Sequence, residues 1–196
     1  GREIGGIRGH ELAEWFERPG REVSELPDRL VRALELDSSD VVADIGAGTG
    51  YFTFRLSPLV PQGRVLAVDI DEQMLELVRE RRESEGIGNV ETILGRIDDP
   101  QLPAGSVDLA LIVDTYHEFS HPEEMLLGIH RGLRQGGRLV IVEYRGEDET
   151  IDIHPLHRMT ESQIRMEVEA AGFEWSETRD FLPRQHVVVF TKPIDS

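Results

Sequence analysis

Val41-Val42-Ala43-Asp44-Ile45-Gly46-Ala47-Gly48-Thr49-Gly50-Tyr51 passes from a β-rich run into three alternating glycines. The run predicts a short strand, and Tyr51, Phe52, Phe54 and Leu56 beyond it fall at helical spacing. Glycines at a strand-to-helix junction let the backbone turn sharply and approach a ligand without Cβ contacts. Val65 to Val68 forms a second apolar run, and Asp69 ends it nineteen residues after Gly50. In nucleoside-binding sheets an acid at that place accepts hydrogen bonds from both ribose hydroxyls.

Two ligand classes compete for such a loop. A dinucleotide site requires G-x-G-x-x-G, whose third glycine lets the helix pack closely under a pyrophosphate. Here that third position is Tyr51, and the glycines run G-x-G-x-G. Asp44 is poorly placed for a pyrophosphate but suits an ammonium group, such as the amino-acid end of S-adenosylmethionine.

Outward from this stretch, strands and helices alternate. Val90 to Leu94, the nearly all-apolar Val107 to Val113, and Leu139 to Val142 read as further strands. Asp71 is a suitable N-cap for a helix carrying Met74, Leu75 and Val78. Ser120 with Glu123 predicts a capping box for a helix through Leu133 that stops at Gly136-Gly137, and Thr160 with Gln163 predicts another. Phe173 to Phe181 and His186 to Phe190 read as two closing strands. Upstream, Leu12, Trp15 and Phe16 and then Leu30, Val31 and Leu34 recur at helical spacing. The pattern predicts a doubly wound Rossmann-like α/β sheet, with ligands at the carboxyl ends of its parallel strands.

The motif strings resemble the class I S-adenosylmethionine-dependent methyltransferases. Val41 to Tyr51 is similar to that family's motif I, and Val65-Leu66-Ala67-Val68-Asp69-Ile70 to the segment that follows it. Leu133-Arg134-Gln135-Gly136-Gly137-Arg138-Leu139 is similar to the lead into strand five, and the resemblance spans residues 38–192. It implies a seven-stranded sheet, mostly parallel with an antiparallel last strand, helices on both faces and S-adenosylmethionine as cofactor. Asp44, Gly46, Ala47, Gly48 and Gly50 would cradle the methionine part. Asp69 would hold the ribose, and Ile70 would pack on the adenine. Ile97 and Asp98 would reach the adenine from the loop after the third strand, where Arg96 replaces a frequent acid. Asp114 and Thr115 would line the methionine end.

The loop after the fourth strand holds the candidates for chemistry. His117 leads as general base or acceptor contact, since an imidazole titrates near neutrality. Tyr116 and Glu118 stand behind it. Tyr144, His154, His157, Arg184 and His186 project onto the same edge as candidate acceptor contacts. The histidines suit either an acidic acceptor or, with Glu118 or Glu143, a divalent metal, but no metal site is assigned. Residues 1–37 are expected to form a helical lid over the main domain, 38–196. In it Trp15 and Phe16 would wall the acceptor pocket, and Arg18 or Arg21 would face an anionic group.

Length and charge bound what remains. The 196 residues fit one core. Lys and Arg number 21 against 38 acids, a net charge of −17, which disfavours nucleic acid and anionic membranes as partners. With no cysteine, thiolate metal sites and thiol catalysis are excluded. No apolar run approaches the ~20 residues of a membrane span. The expected protein is a cytoplasmic enzyme that methylates a small molecule, or an exported one if a leader preceded Gly1. The alternatives are a cofactor-binding module without transferase activity and a nucleotide-dependent oxidoreductase. Oligomeric state is not legible.

Overall fold

The computed structural model describes residues 4, 5, 17, 18 and 20–194. Two short helices, α1 (Arg21–Ser24) and α2 (Pro27–Ala33), precede strand β1 (Val41–Ile45). After the glycine loop come helix α3 (Thr53–Leu56), strand β2 (Arg64–Asp69), helix α4 (Glu72–Ser84) and strand β3 (Val90–Leu94). Strand β4 (Val107–Val113), helix α5 (Pro122–Gly132) and the long strand β5 (Leu133–Arg145) follow. The chain closes with β6 (Arg158–Met159), helix α6 (Glu161–Ala170), β7 (Glu174–Arg179) and β8 (Gln185–Thr191).

The strand order is β3-β2-β1-β4-β5-β8-β7, with the two-residue β6 pairing beside β5. Pairings from β3 through β5 are parallel, and β8 runs antiparallel to both β5 and β7. The order reverses between β1 and β4, so the carboxyl ends of these strands bound the crevice where such sheets take ligands.

Alternation along the strands builds one core on each face of the sheet. Val42, Leu109, Leu111, Val140 and Val142 pack with Leu30, Val31 and Leu34 of the N-terminal helices and with Phe54 and Leu56. Ala43, Ala110, Ile112, Leu139 and Ile141 pack on the opposite face with Met125, Leu126 and Ile129 of α5 and Ile164 and Val168 of α6. Residues 30–34 therefore belong to the main core as well as to the segment expected to act as a lid.

Local expectations divide by where their hydrogen bonds go. Asp71 accepts from Gln73 N–H at 2.9 Å and Thr160 accepts from Gln163 N–H at 3.2 Å, so both caps form. The Ser120 capping box does not. His121 occupies the N-cap without a side-chain cap, and Ser120 Oγ instead lies 2.9 Å from His121 Nδ1. Helix α5 ends at Gly132 rather than at the later glycine pair, because Leu133 pairs with Val107 and starts the strand early.

Candidate functional site

A cavity of about 300 Å³ opens at the carboxyl edge of β1, β2 and β4. Its walls include Asp44, Gly46, Ala47, Gly48, Asp69 and Ile70 at one end. Asp114, Thr115, His117 and Glu118 continue it, and Tyr144, His154 and His157 reach the other end.

The glycine loop is built by two different demands. Gly48 has φ +54°, and among the described residues a Cβ there would meet nothing within 4 Å. Its backbone is open to the cavity, as a ligand cradle requires. Gly50 has φ +82°, and a Cβ there would fall 2.7 Å from Phe54 Cε2 and 3.2 Å from Val78 Cγ2. Gly50 does not line the cavity. Its expected role in the cradle is corrected: it admits the helix that follows, so the loop closes on its own core.

Asp69 is held by the chain itself. Gly48 N–H donates to Oδ2 at 2.8 Å and Asp71 N–H donates to Oδ1 at 2.9 Å. Each oxygen retains acceptor capacity, which matches a vicinal diol. Burial raises the Asp69 pKa, and those backbone donors pull it back. Asp44 is buried at 3% exposure and accepts from Thr53 Oγ1 at 2.6 Å. Burial pushes its carboxyl up to about 6, against the Thr53 bond and with the repulsion of Asp69. A buried carboxyl so poised is a ready partner for a ligand ammonium.

Ile70 and Ile97 present half-exposed side chains to the same end, a surface suited to one flat apolar ring. Asp98 is not among the lining residues. Its carboxylate lies 3.5 Å from the Arg96 guanidinium, and Arg96, which does line the cavity, bridges back to Asp99. Beside the Arg96–Asp99 bridge it is Arg96 and Ile97 that reach the cavity wall, so the expected adenine contact by Asp98 is corrected. Diol acceptor, buried carboxylate, open glycine and apolar flank together fit S-adenosylmethionine.

At the other end the sheet supplies a connected polar wall. His117 is 4% exposed. Its Nδ1 lies 2.8 Å from Glu143 Oε2, and its backbone N–H donates to Glu143 Oε1 at 3.1 Å. Its Nε2 lies 2.9 Å from His157 Nδ1. Burial lowers the His117 pKa, but the adjacent Glu143 charge and hydrogen bond outweigh it, and the net shift is upward. Glu143 is fully buried, so the imidazole is oriented by a carboxylate that water does not reach. Glu118 lines the cavity with Oε1 3.8 Å from His117 Nε2.

Asp114 closes β4 in the left-handed region, at φ +50°. Gln185 Nε2 donates to both its oxygens, at 3.0 and 2.8 Å. Burial, then the charges of Glu25 and Glu143, push the Asp114 carboxyl up to about 8. Tyr144 O–H donates to Glu25 Oε1 at 3.0 Å, and burial followed by the charges of Asp114 and Glu25 drives its pKa upward. Arg21 Nε donates to Glu25 Oε2 at 2.6 Å, and Arg18 pairs with Glu25 Oε1. Both arginines line the cavity as expected, but their charge is answered by Glu25, an acid the sequence reading had not singled out.

Three expected site residues fall elsewhere. Tyr116 is fully buried and donates to Glu167 Oε2 at 2.6 Å, so it ties the loop to α6 and does not face the cavity. Arg184 sits 5.7 Å from the Tyr144 ring, and His186 is buried at 3% exposure. Neither lines the cavity. For His186 the cause is strand parity. Gln185 pairs across from Tyr144 and reaches Asp114, whereas His186 pairs across from Glu143 on the other face. Trp15 and Phe16 lie outside the described residues.

Beyond Glu25, the orienting role of Glu143 and one residue spacing were missed. Glu143 was named only as a possible metal ligand, although its place at the end of β5 predicts an orienting acid for the loop after β4. His117-Glu118-Phe119-Ser120-His121 also carries the H-E-x-x-H spacing. That spacing binds metal when both histidines share a helix face. Here Tyr116–Glu118 is a single 3₁₀ turn, and His121 is exposed beside Ser120. The second histidine near His117 is His157, from a separate loop.

Comparison with known proteins identifies the frame. Residues 36–180 match the family described as a methyltransferase domain. The ubiquinone/menaquinone biosynthesis C-methyltransferase UbiE of Pseudomonas fluorescens is 36% identical over 105 residues, covering 53% of this chain and 41% of that one. UbiE of Pseudomonas putida is 30% identical over 142 residues, covering 69% and 56%. The chain thus spans about half the length of the curated relatives it matches. A SAM dependent methyltransferase from Aquifex aeolicus shares the fold with a TM-score of 0.88 at 23% identity, covering 95% of this chain and all of that one. The [4+2]-cyclase SpnF shares it at 0.74 and 16% identity, covering 86% and 82%. The matched span, the sheet order and the cavity at the β1–β4 crevice agree, and the chain belongs to the methyltransferase domain family, with the class I, Rossmann-like fold.

Proposed function

We propose that the chain transfers the methyl group of S-adenosylmethionine to a small-molecule acceptor seated against His117. The observation that carries this reading is continuity: one cavity runs from Asp69 and Gly48 to His117 and His157. S-adenosylmethionine supplies a methyl group on a sulfonium, a leaving group that needs no further activation. The residues of the chain bind, align and exclude water. Asp44 takes the ammonium, Asp69 the ribose diol, and Ile70 and Ile97 flank the adenine. His117, its ring fixed by Glu143, meets the acceptor and takes its proton where it has one.

Size and charge support a small acceptor. A cavity of about 300 Å³ is at the lower end for a ligand pocket and must house two molecules. At the acceptor end Gly5 N–H donates to the His117 carbonyl at 3.2 Å, and Arg18 and Arg21 line the same cavity. A net charge of −17 opposes a polyanionic substrate. The relatives named for ubiquinone/menaquinone biosynthesis are consistent with an organic small-molecule acceptor rather than a macromolecule. The test is incubation with methyl-labelled S-adenosylmethionine and a fractionated metabolite extract, using the wild type and Asp69→Ala. Label in a small organic product with the wild type alone supports the reading. Label confined to macromolecules refutes it, and cofactor binding without any labelled product favours a binding module.

A further inference from the structure

We propose that His117, Glu118 and His157 form a binding site for a divalent first-row metal ion, with zinc the best fit. One ligand atom from each converges: His117 Nε2, His157 Nδ1 and a Glu118 carboxylate oxygen all lie within 4.8 Å of one another. The two ring nitrogens are 2.9 Å apart, and Glu118 Oε1 is 3.8 Å from His117 Nε2. Tetrahedral zinc with Zn–N near 2.0–2.1 Å sets neighbouring ligand atoms about 3.4 Å apart. The histidines must part by roughly half an ångström, and Glu118 must close by about 0.4 Å on His117 and by up to about 1.4 Å on His157, movements a rotamer adjustment of Glu118 supplies.

The surroundings are those of a built site. A metal-binding histidine ordinarily donates its second ring N–H to a carboxylate, which fixes tautomer and orientation. His117 does so here: Nδ1 is 2.8 Å from Glu143, an acid with no solvent exposure. That bond leaves Nε2 to present its lone pair towards His157 and Glu118. The donors are two imidazoles and one carboxylate, a set that suits zinc, iron(II) and their neighbours better than magnesium or calcium. Gly5 covers the pair closely enough that a Cβ there would come within 2.9 Å of both His117 and His157. Three protein ligands leave a coordination position, and all three residues line the cavity. The three come from two loops, Tyr116–Glu118 and Pro155–His157, brought together because β6 pairs beside β5 and anchors the second loop.

What the ion does rests on the methyl-transfer reading; whether it binds does not. In the cavity it would coordinate an acceptor O–H or S–H and lower its pKa, so that the proton leaves to solvent as the acceptor binds. The oxygen or sulfur then forms its bond to the methyl carbon as the carbon–sulfonium bond breaks, S-adenosylhomocysteine being the leaving group, and the ion takes over the proton-relieving task of His117. The acceptor class that follows is a compound methylated at oxygen or sulfur.

The test is equilibrium dialysis of the full chain against Zn²⁺ at physiological ionic strength, with metal counted by mass spectrometry. The visible spectrum of the Co²⁺ form is read alongside. One ion per chain is expected in the wild type and in His121→Ala. Stoichiometric binding should disappear in His117→Ala and His157→Ala. Glu143→Gln should weaken it about 10–100-fold. The Co²⁺ spectrum needs no variant: intense d–d bands of a four- or five-coordinate ion support the site, and the weak spectrum of the hydrated ion overturns it. Equal binding by the wild type and a His117→Ala/His157→Ala double variant also overturns it, assigning the metal to scattered carboxylates. Metal binding without methyl transfer would leave this site standing and sink the transferase reading alone.

Discussion

Cofactor binding should weaken about tenfold between pH 7 and pH 5, because Asp44 must be ionised to receive the ligand ammonium. In the free protein its carboxyl is pushed up to about 6. A group with that value is about 90% ionised at pH 7 and about 10% at pH 5, a ratio worth ~1.4 kcal/mol of binding. An ammonium placed beside the carboxylate lowers its pKa, so binding must release a proton below pH 6 and hardly any above pH 7. The charges that face Asp44 are those of Asp69, which raises its pKa, and Arg21, which lowers it. Asp69 is itself shifted upward and contributes in the same direction. The assay is calorimetric titration with S-adenosylhomocysteine at pH 5, 6 and 7, in buffers of differing ionisation enthalpy. Asp44→Asn separates the two acids: it should bind more weakly at pH 7 by about 1.5–3 kcal/mol, and lose most of the pH dependence. Affinity that is flat across this range, or an Asp44→Asn variant that keeps the full slope, would refute the pairing.

Three further outcomes are expected. Gly48→Ala should cost the fold about 1 kcal/mol for its left-handed backbone, yet lower S-adenosylhomocysteine affinity at least tenfold, since Gly48 lines the cavity and its Cβ would meet none of the described residues. Gly50→Ala should instead lower the melting temperature through the clash with Phe54, and calorimetry that finds the two variants alike would contradict the division of labour. Asp114→Asn should melt higher than the wild type at pH 8.5 but not at pH 4, with asparagine tolerating the left-handed φ. The folded pKa of Asp114 is about 8, above the unfolded carboxyl value, so its stabilising share is intact at low pH and lost as pH rises from about 4 to 8; a lower melting temperature for the variant at pH 8.5 would count against it. His117→Ala should keep cofactor affinity within about twofold while turnover of an identified acceptor collapses, and a parallel loss of both would remove His117 from the acceptor side.

The turn after β1 and its partner acid were legible in the sequence because they are written in the backbone. Glycines at a strand exit and an acid at the next strand exit are local signals, and strand order then brings Gly48 and Asp69 together at 2.8 Å. Gly50 was misread for the same reason: from sequence alone, a glycine that admits Phe54 looks like one that admits a ligand. The acceptor end depends on partners distant in the chain. Glu25 meets Tyr144, and Glu143 meets His117, through contacts no local pattern encodes. Tyr116 shared a loop with His117 but turned under it to Glu167, because a 3₁₀ turn points successive side chains to different sides. Gln185 and His186 show how narrow the margin is, since one residue of strand parity decides which of two neighbours reaches Asp114. Ser120 lost its expected cap to His121, a competition between two good polar partners that spacing alone does not resolve.

The central claim is that one cavity holds S-adenosylmethionine with its reactive end towards His117. A crystal structure with bound S-adenosylhomocysteine tests it most directly. The expected complex has the ribose hydroxyls on Asp69, the ammonium at Asp44, adenine between Ile70 and Ile97, and the sulfur turned towards the His117–His157 wall. A ligand whose ribose avoids Asp69, or whose sulfur faces away from His117, would contradict it.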